Sequence, residues 1–122
     1  MQTDVSSNVA SDMDPHLLNF LRDKVNTFVK WDLVRFFHDN PHTADTAENI
    51  ARYTGRDIPT VKRELDDLVQ AGVLEASTPS NFEVYALVHD QEVRDLIRQF
   101  ILACDDRQFR VDAMYYVLRG TQ

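Results

Sequence analysis

Hydrophobic residues recur at helical spacing in the first part of the chain, directly after a strong helix-start signal. Asp14-Pro15 places an N-cap residue before a proline, which is favoured at the first position of a helix. Thr27 is a second candidate N-cap, and the pattern continues until Pro41 disfavours the helical conformation of the residue before it. The pattern predicts one bent helix or two short helices, with apolar positions at Leu17, Leu18, Leu21, Val25, Phe28, Val29, Leu33, Phe36 and Phe37.

A short helix through Tyr53 is predicted next. Asp45-Thr46-Ala47-Glu48 has the spacing of a capping box, in which Asp45 accepts a hydrogen bond from the Glu48 amide and Glu48 reaches back. Gly55 ends this helix, because a glycine just past the last turn readily adopts the left-handed conformation that reverses the chain. Two helices therefore meet across a tight turn.

The second of these helices is predicted from Ile58 to Gln70. Asp57 is placed to cap it, and Pro59 is tolerated in its first turn. Gly72 closes it. Its buried face is predicted to contain Val61, Leu65, Leu68 and Val69.

Two short β-prone stretches follow. Residues 73–76 and 82–88 are separated by Ser77-Thr78-Pro79-Ser80-Asn81, which is rich in turn-forming residues. This arrangement predicts a β-hairpin.

The C-terminal part is predicted to be helical after an N-cap at Asp90. Four polar residues, 105–108, interrupt its apolar pattern and form either a polar turn or an exposed patch. Because the apolar positions beyond them keep the same phase, we expect one long helix from about Gln91 to Arg119, with a possible bend at the acidic pair Asp105-Asp106.

Composition places the chain among globular proteins. Its 122 residues are 43% hydrophobic and 27% charged, which suits one domain and leaves no apolar run of membrane-spanning length. Met1 to Met13 is polar and cannot offset its ordering entropy by burial, so we expect a disordered leader. Met1 to Ser11 resembles neither a secretory signal nor a transit peptide. With Cys104 as the single cysteine, no intramolecular disulfide can form, which agrees with a cytoplasmic location.

The order of these elements, and the residues within them, resemble a winged helix-turn-helix. Thr46 to Leu65 is similar to the paired helices of that fold, Leu68 to Glu75 is similar to its exit into the wing, and Tyr85-Ala86-Leu87 is similar to the second wing strand. The resemblance is to bacterial or archaeal transcriptional regulators of the ArsR/MarR type. It implies a mostly α fold with a small β-hairpin wing and extra N- and C-terminal helices.

This resemblance also divides the chain and implies a function. We expect residues 1–13 to be the disordered leader, 14–89 the winged helix-turn-helix with its N-terminal helical extension, and 90–122 a helical dimerisation segment. In a DNA-reading member, the helix at 58–70 lies in the major groove of double-stranded DNA. The residues that the resemblance places toward DNA are Arg56, Ile58, Pro59, Thr60, Lys62 and Arg63.

The charge balance raises an alternative. The chain has 13 basic and 20 acidic residues, a net charge of −7, whereas nucleic-acid binders usually carry a basic face. Asp66 and Asp67 lie one turn beyond the basic residues, and the turn at 77–81 has no Lys or Arg to enter a minor groove. The alternative is therefore a winged-helix module that binds proteins and does not bind DNA.

Dimerisation has a physical motive in the C-terminal segment. Its apolar positions are more numerous than one small domain can easily cover, and a two-fold dimer would bring two recognition helices to successive major grooves. We expect a homodimer held by the outer helices. The stripe on which this rests is Val93, Ile97, Phe100, Ile101, Cys104, Val111, Tyr115 and Leu118.

Other chemistry is predicted to be absent. The histidines at 16, 38, 42 and 89 are scattered across predicted helix ends and loops, so no two of them are fixed on one helix face, and we expect Cys104 to be a buried, inert thiol. The sequence has neither a glycine-rich phosphate loop nor a recognisable catalytic triad, so we predict no enzymatic activity, no metal and no cofactor. The aromatic residues Phe28, Trp31, Phe36 and Phe37 are interpreted as core and not as a ligand pocket.

Overall fold

The computed structural model describes residues 14–120, and within this range it contains six α-helices and a small three-stranded antiparallel sheet. The leader predicted at 1–13 lies outside this range. The order of elements is that of a winged helix-turn-helix, as the sequence predicted. The elements are α1 (Pro15–Asp23), α2 (Phe28–Asp39), β1 (Ala44–Asp45), α3 (Ala47–Thr54), α4 (Ile58–Gln70), β2 (Leu74–Ser77), a 3-10 turn (Pro79–Asn81), β3 (Val84–Leu87), α5 (Gln91–Ala103) and α6 (Arg107–Gly120).

The N-terminal region forms two helices, which settles the alternative that the sequence left open. Asp14 caps α1, its carboxylate accepting from the His16 amide at 2.8 Å, and Pro15 occupies the first turn. Thr27 caps α2, its hydroxyl accepting from the Lys30 amide at 3.1 Å. Each cap supplies an acceptor to an amide that has no partner within the first turn of its helix.

The N-cap of α3 is one residue later than predicted. Thr46, not Asp45, caps the helix, and its hydroxyl accepts from the Asn49 amide at 3.2 Å. Asp45 instead belongs to β1, where it lies opposite Tyr85 of β3. The predicted capping box is therefore wrong, because Asp45 instead pairs through its backbone with the distant strand β3.

The sheet contains the predicted hairpin and one additional strand. β2 and β3 pair antiparallel, with Leu74 opposite Leu87 and Ser77 opposite Val84. The unpredicted β1 adds to the other edge of β3, giving the order β1-β3-β2.

The predicted single C-terminal helix is also wrong. α5 ends at Ala103 and α6 begins at Arg107. Asp106 makes the break stable, because its carboxylate accepts from the Phe109 amide at 3.1 Å and so provides a new N-terminal cap. The polar residues between the helices form a turn.

The core joins the terminal helices to the helix-turn-helix. Trp31 of α2 packs edge-on against Phe100 of α5, with ring centroids 5.1 Å apart, and Phe37 is fully buried. The core interpretation holds for these two aromatic residues, while Phe36 is half-buried and Phe28 remains 39% exposed. α4 contributes the predicted Val61, Leu65 and Leu68, with Val69 only half-buried.

Candidate nucleic-acid interface

The turn before α4 fixes where that helix begins and leaves one face of its first half exposed. Gly55 adopts a left-handed conformation, with φ 71°, as the sequence predicted. The Arg56 amide then donates to the Ala51 carbonyl at 3.0 Å, which closes the end of α3. Asp57 caps α4 by accepting from the Thr60 amide at 3.0 Å. The chain therefore reverses within three residues and fixes where α4 begins.

The first turn of α4 presents an apolar surface. Ile58 is 46% exposed and Pro59 is exposed, whereas Thr60 is half-buried. On the opposite side, Val61 and Leu65 are fully buried. The structure thus brings the predicted residues of this turn to one exposed end of a firmly packed helix.

Arg56 is held by a carboxylate from another helix. Its Nε donates to Oδ2 of Asp32 on α2 at 2.9 Å, and its Nη2 donates to the same oxygen. About a third of the Arg56 side chain remains exposed. Sequence reasoning missed Asp32 as a partner, because the two residues lie 24 positions apart.

Lys62 is held by two carboxylates. Its Nζ lies 2.7 Å from Oδ2 of Asp66, one turn along α4, and 3.1 Å from Oε1 of Glu83 at the base of the wing. The hydrogen bond with Asp66 is the largest cause of a raised Lys62 pKa, so this side chain stays charged. The Lys62 charge is therefore largely neutralised within the chain.

Tyr85 connects this pair to the wing. Its hydroxyl donates to Asp66 at 2.6 Å and lies 3.2 Å from Oε1 of Glu83, while its ring lies beneath the Lys62 ammonium. Burial is the main cause that raises the pKa of Tyr85 to about 12. Burial alone would raise the pKa of Asp66, but the hydrogen bonds from Lys62 and Tyr85 outweigh it and lower that pKa.

Arg63 differs from the other two cations. It is exposed and forms no ion pair within 4.0 Å among residues 14–119. Its charge acts on Asp57, whose pKa is lowered mainly by the Thr60 side chain, then by the Thr60 amide, with a smaller effect of Arg63. Of the three cations predicted to face DNA, Arg63 is the most available to a polyanion.

A shallow groove of about 260 Å³ separates α4 from the wing. Ile58 and Lys62 line its helix side, and Phe82 and Glu83 line its wing side. Phe82 is 65% exposed, which sequence reasoning did not single out because the residue lies within a β-prone run. Just before it, Ser80 and Asn81 both have positive φ, 53° and 72°, so the wing turns sharply as it presents this ring.

A buried polar cluster fixes α4 against α2. The Thr27 hydroxyl donates to Glu64, and Lys30 lies 3.8 Å from that carboxylate. Lys30 also donates to Asn26 at 2.9 Å and lies 3.4 Å from Asp67. The side chains of Lys30 and Glu64 are each 10% exposed, so these charges hold the helices together and are not available to a ligand.

The predicted dimer stripe divides into two parts. Ile97, Phe100, Ile101 and Cys104 are buried in the core of their own chain, and Val93 packs half-buried against that core, which corrects their assignment to an intermolecular surface. Burial is the main cause that raises the pKa of the Cys104 thiol, as expected for an inert cysteine.

The other part of the stripe is exposed on α6. Val111 and Tyr115 are each 52% exposed and Leu118 is 53% exposed, and Met114, which was not in the predicted stripe, is 43% exposed. The opposite side of the same helix buries Ala113 and Val117. α6 is therefore apolar on two sides, and residues 14–120 cover one of them.

Within residues 14–120, no helix is long and apolar enough to cross a membrane. In the same range, no group of three or more His, Cys, Asp or Glu side chains is arranged to hold a metal ion.

Comparisons with known proteins give structural neighbours only. No protein-family model matches the chain, and no curated protein matches it. It is similar to the homodimeric winged helix-turn-helix DNA-binding domain of a possible ArsR-family transcriptional regulator from Mycobacterium bovis, with 16% identity, a TM-score of 0.59, and coverage of 87% of this chain and 90% of that one. A possible transcriptional regulator from Methanosarcina mazei Go1 has 15% identity, a TM-score of 0.48, and coverage of 87% and 84%. The first likeness shows the winged helix-turn-helix fold.

Proposed function

We propose that this chain is a DNA-binding transcriptional regulator of the winged-helix type, without enzymatic activity, that reads the major groove with α4. The observation that carries the proposal is the exposed face of the first half of α4, with Ile58, Pro59 and Arg63, which follows directly after a left-handed turn and a capped helix start. The structural neighbour from Mycobacterium bovis, itself a DNA-binding domain, supports it.

The proposed contacts follow from the exposure of each side chain. Arg63 contacts phosphate or a guanine edge, and Ile58 and Pro59 contact thymine methyl groups. Arg56, Thr60 and Lys62 contact the phosphate backbone. Because the chain is acidic, we expect weak non-specific affinity, with a Kd at or above the ~10⁻⁴ to 10⁻⁶ M usual for such binding.

A salt titration against duplex DNA tests this proposal. Arg63→Ala should weaken binding and, if Arg63 contacts phosphate, reduce the salt slope by about one unit. If Arg63 instead reads guanine, the variant should lose preference for one base position. Arg98→Ala is the matched control, since Arg98 is an exposed arginine on α5, outside the paired helices and wing. Identical curves for wild type and Arg63→Ala, or no binding even at low salt, would refute the DNA proposal.

We also propose that the chain is a homodimer held by α6. Val111, Met114 and Tyr115 follow helical spacing and form one apolar strip, and covering such a strip is the usual driving force for a helix-helix contact. The neighbour from Mycobacterium bovis is homodimeric, which supports the proposal.

Sedimentation at micromolar concentration tests the dimer. The wild type should have twice the 14.1 kDa chain mass, and Met114→Glu should shift it toward monomer. Gln99→Glu, which adds the same charge at an exposed position of α5, should remain dimeric. A monomeric wild type would refute the dimer.

Protein binding by the same face is the second candidate function. Exposed Ile58 and Phe82 line the groove between α4 and the wing, and Lys62 in that groove is already paired with Glu83. An apolar groove with neutralised charges is more typical of a protein-binding surface than of a DNA-binding one. Absence of DNA binding in the salt titration would favour this function.

A further inference from the structure

Two of the three cations proposed to meet DNA are paired with carboxylates from outside the helix-turn-helix. Asp32, on α2, accepts both hydrogen bonds from Arg56. Glu83, at the base of the wing, lies 3.1 Å from Lys62. Each carboxylate makes the kind of contact that a phosphate oxygen would make, because both groups accept charge-assisted hydrogen bonds from the same donors.

The exposure of these pairs makes an exchange of partners feasible. The Arg56 and Asp32 side chains are 34% and 47% exposed, and those of Lys62 and Glu83 are 44% and 45% exposed. Ion pairs this open to water contribute little stability, so a competing anion can replace one partner at small cost.

We propose that Asp32 and Glu83 act as intramolecular competitors of DNA, so that Arg56 and Lys62 engage phosphate only by leaving these carboxylates. This inference rests on the proposed DNA-binding function and adds a device that sets its affinity. Glu83 has a further consequence, because its pair with Lys62 joins the wing to α4 across the groove. Exchange at Lys62 therefore releases one contact that holds the wing against the recognition helix.

Glu83→Gln tests the competition. Removal of this carboxylate leaves Lys62 with Asp66 as its one remaining carboxylate partner, at 2.7 Å, and so removes one of two competitors for phosphate. DNA should then bind about two- to fivefold more tightly at low salt, which matches the small strength of an exposed ion pair. The dependence of log Kd on log salt should also steepen by up to about 0.9. The matched control is Glu75→Gln, an exposed carboxylate of β2 for which the described residues show no ion pair within 4.0 Å. It removes the same charge and should leave the salt slope unchanged.

A double-mutant cycle separates pairing from general repulsion. In a Lys62→Gln background, Glu83→Gln should lose most of its effect on affinity, whereas Glu75→Gln should behave as it does in the wild type. Asp32→Asn with Arg56→Gln provides the same test for the second pair. Circular dichroism and thermal melting of each variant check that the fold is retained.

The possible results are distinguishable. If the effect of Glu83→Gln on DNA affinity depends on Lys62 and that of Glu75→Gln does not, the result supports competition between Glu83 and DNA for Lys62. If the wild type binds DNA and Glu83→Gln matches Glu75→Gln in both backgrounds, the competition is refuted while the proposed function stands. If neither the wild type nor any variant binds duplex DNA at low salt, the proposed function and the inference built on it both fail.

Discussion

Substitution of Gly55 isolates the energetic cost of the turn that orients α4. Gly55 has φ 71°, and a Cβ built on it would meet no atom within 4 Å among the described residues. A side chain there would therefore cause no clash, and only the cost of a left-handed backbone remains. For alanine this is about 1–2 kcal/mol, since the Cβ approaches the following carbonyl oxygen.

The expected order of stability is Gly55, then Gly55→Asn, Gly55→Ala and Gly55→Val. Asparagine tolerates the left-handed region best among the substitutes, and β-branched valine tolerates it least. A loss of ~1 kcal/mol corresponds to a melting temperature lower by about 3–6 °C for a chain of this size. Urea unfolding and thermal melting measure the series. Equal stability of Gly55→Val and wild type would refute the reasoning, because it would mean that the turn can form without a left-handed residue.

Two further predictions concern groups that join α4 to its neighbours. Glu64→Gln should lower the free energy of unfolding in urea by about 1–3 kcal/mol, because it leaves the buried Lys30 without its most enclosed counter-charge. Glu83→Gln should lower it by less than about 1 kcal/mol, because the pair of Glu83 with Lys62 is exposed. Equal losses for the two variants would contradict this ranking. Tyr85 should ionise near pH 12, detected as tyrosinate absorbance missing from Tyr85→Phe. Because burial raises its pKa above the unfolded value of about 10, the stability that Tyr85 contributes should be intact below pH 10 and lost as pH rises toward 12, and a normal titration near pH 10 would argue against the buried hydroxyl.

Signals that act over a few residues made most of the helices predictable. Asp14, Thr27, Asp57 and Asp90 were each identified as N-caps, and each accepts a hydrogen bond from an amide of the following turn. A cap is a local device, because its acceptor and donor lie two or three residues apart. Gly55 is similar, since its left-handed conformation follows from the need to reverse the chain at that point.

Features that depend on distant residues were not predictable. β1 has only two residues and no alternating pattern, and it forms because β3 offers an open edge about forty positions later. The pairing of Arg56 with Asp32 likewise depends on how α2 packs beside α3 and α4. The electrostatic state of the candidate interface is therefore a property of the tertiary structure, although its residues were identified from the sequence.

The break between α5 and α6 was missed for a different reason. The apolar pattern keeps its phase across residues 105–108, and this continuity favoured one helix. Asp106 offers a cap at the same place, and the structure uses it. The C-terminal segment has many apolar positions because α6 is apolar on two sides, with Val117 facing the core and Val111 facing solvent.

The most direct test of DNA reading by α4 is a titration of the ¹⁵N-labelled chain with duplex DNA at low salt, followed by amide chemical shifts. We expect the largest shifts at residues 56–63, with smaller shifts at the start of α3, where Thr46 and Ala47 line the same groove. Amides of α5 should not move. The absence of shifts, or shifts confined to residues outside α3, α4 and the wing, would contradict the proposal that α4 reads DNA.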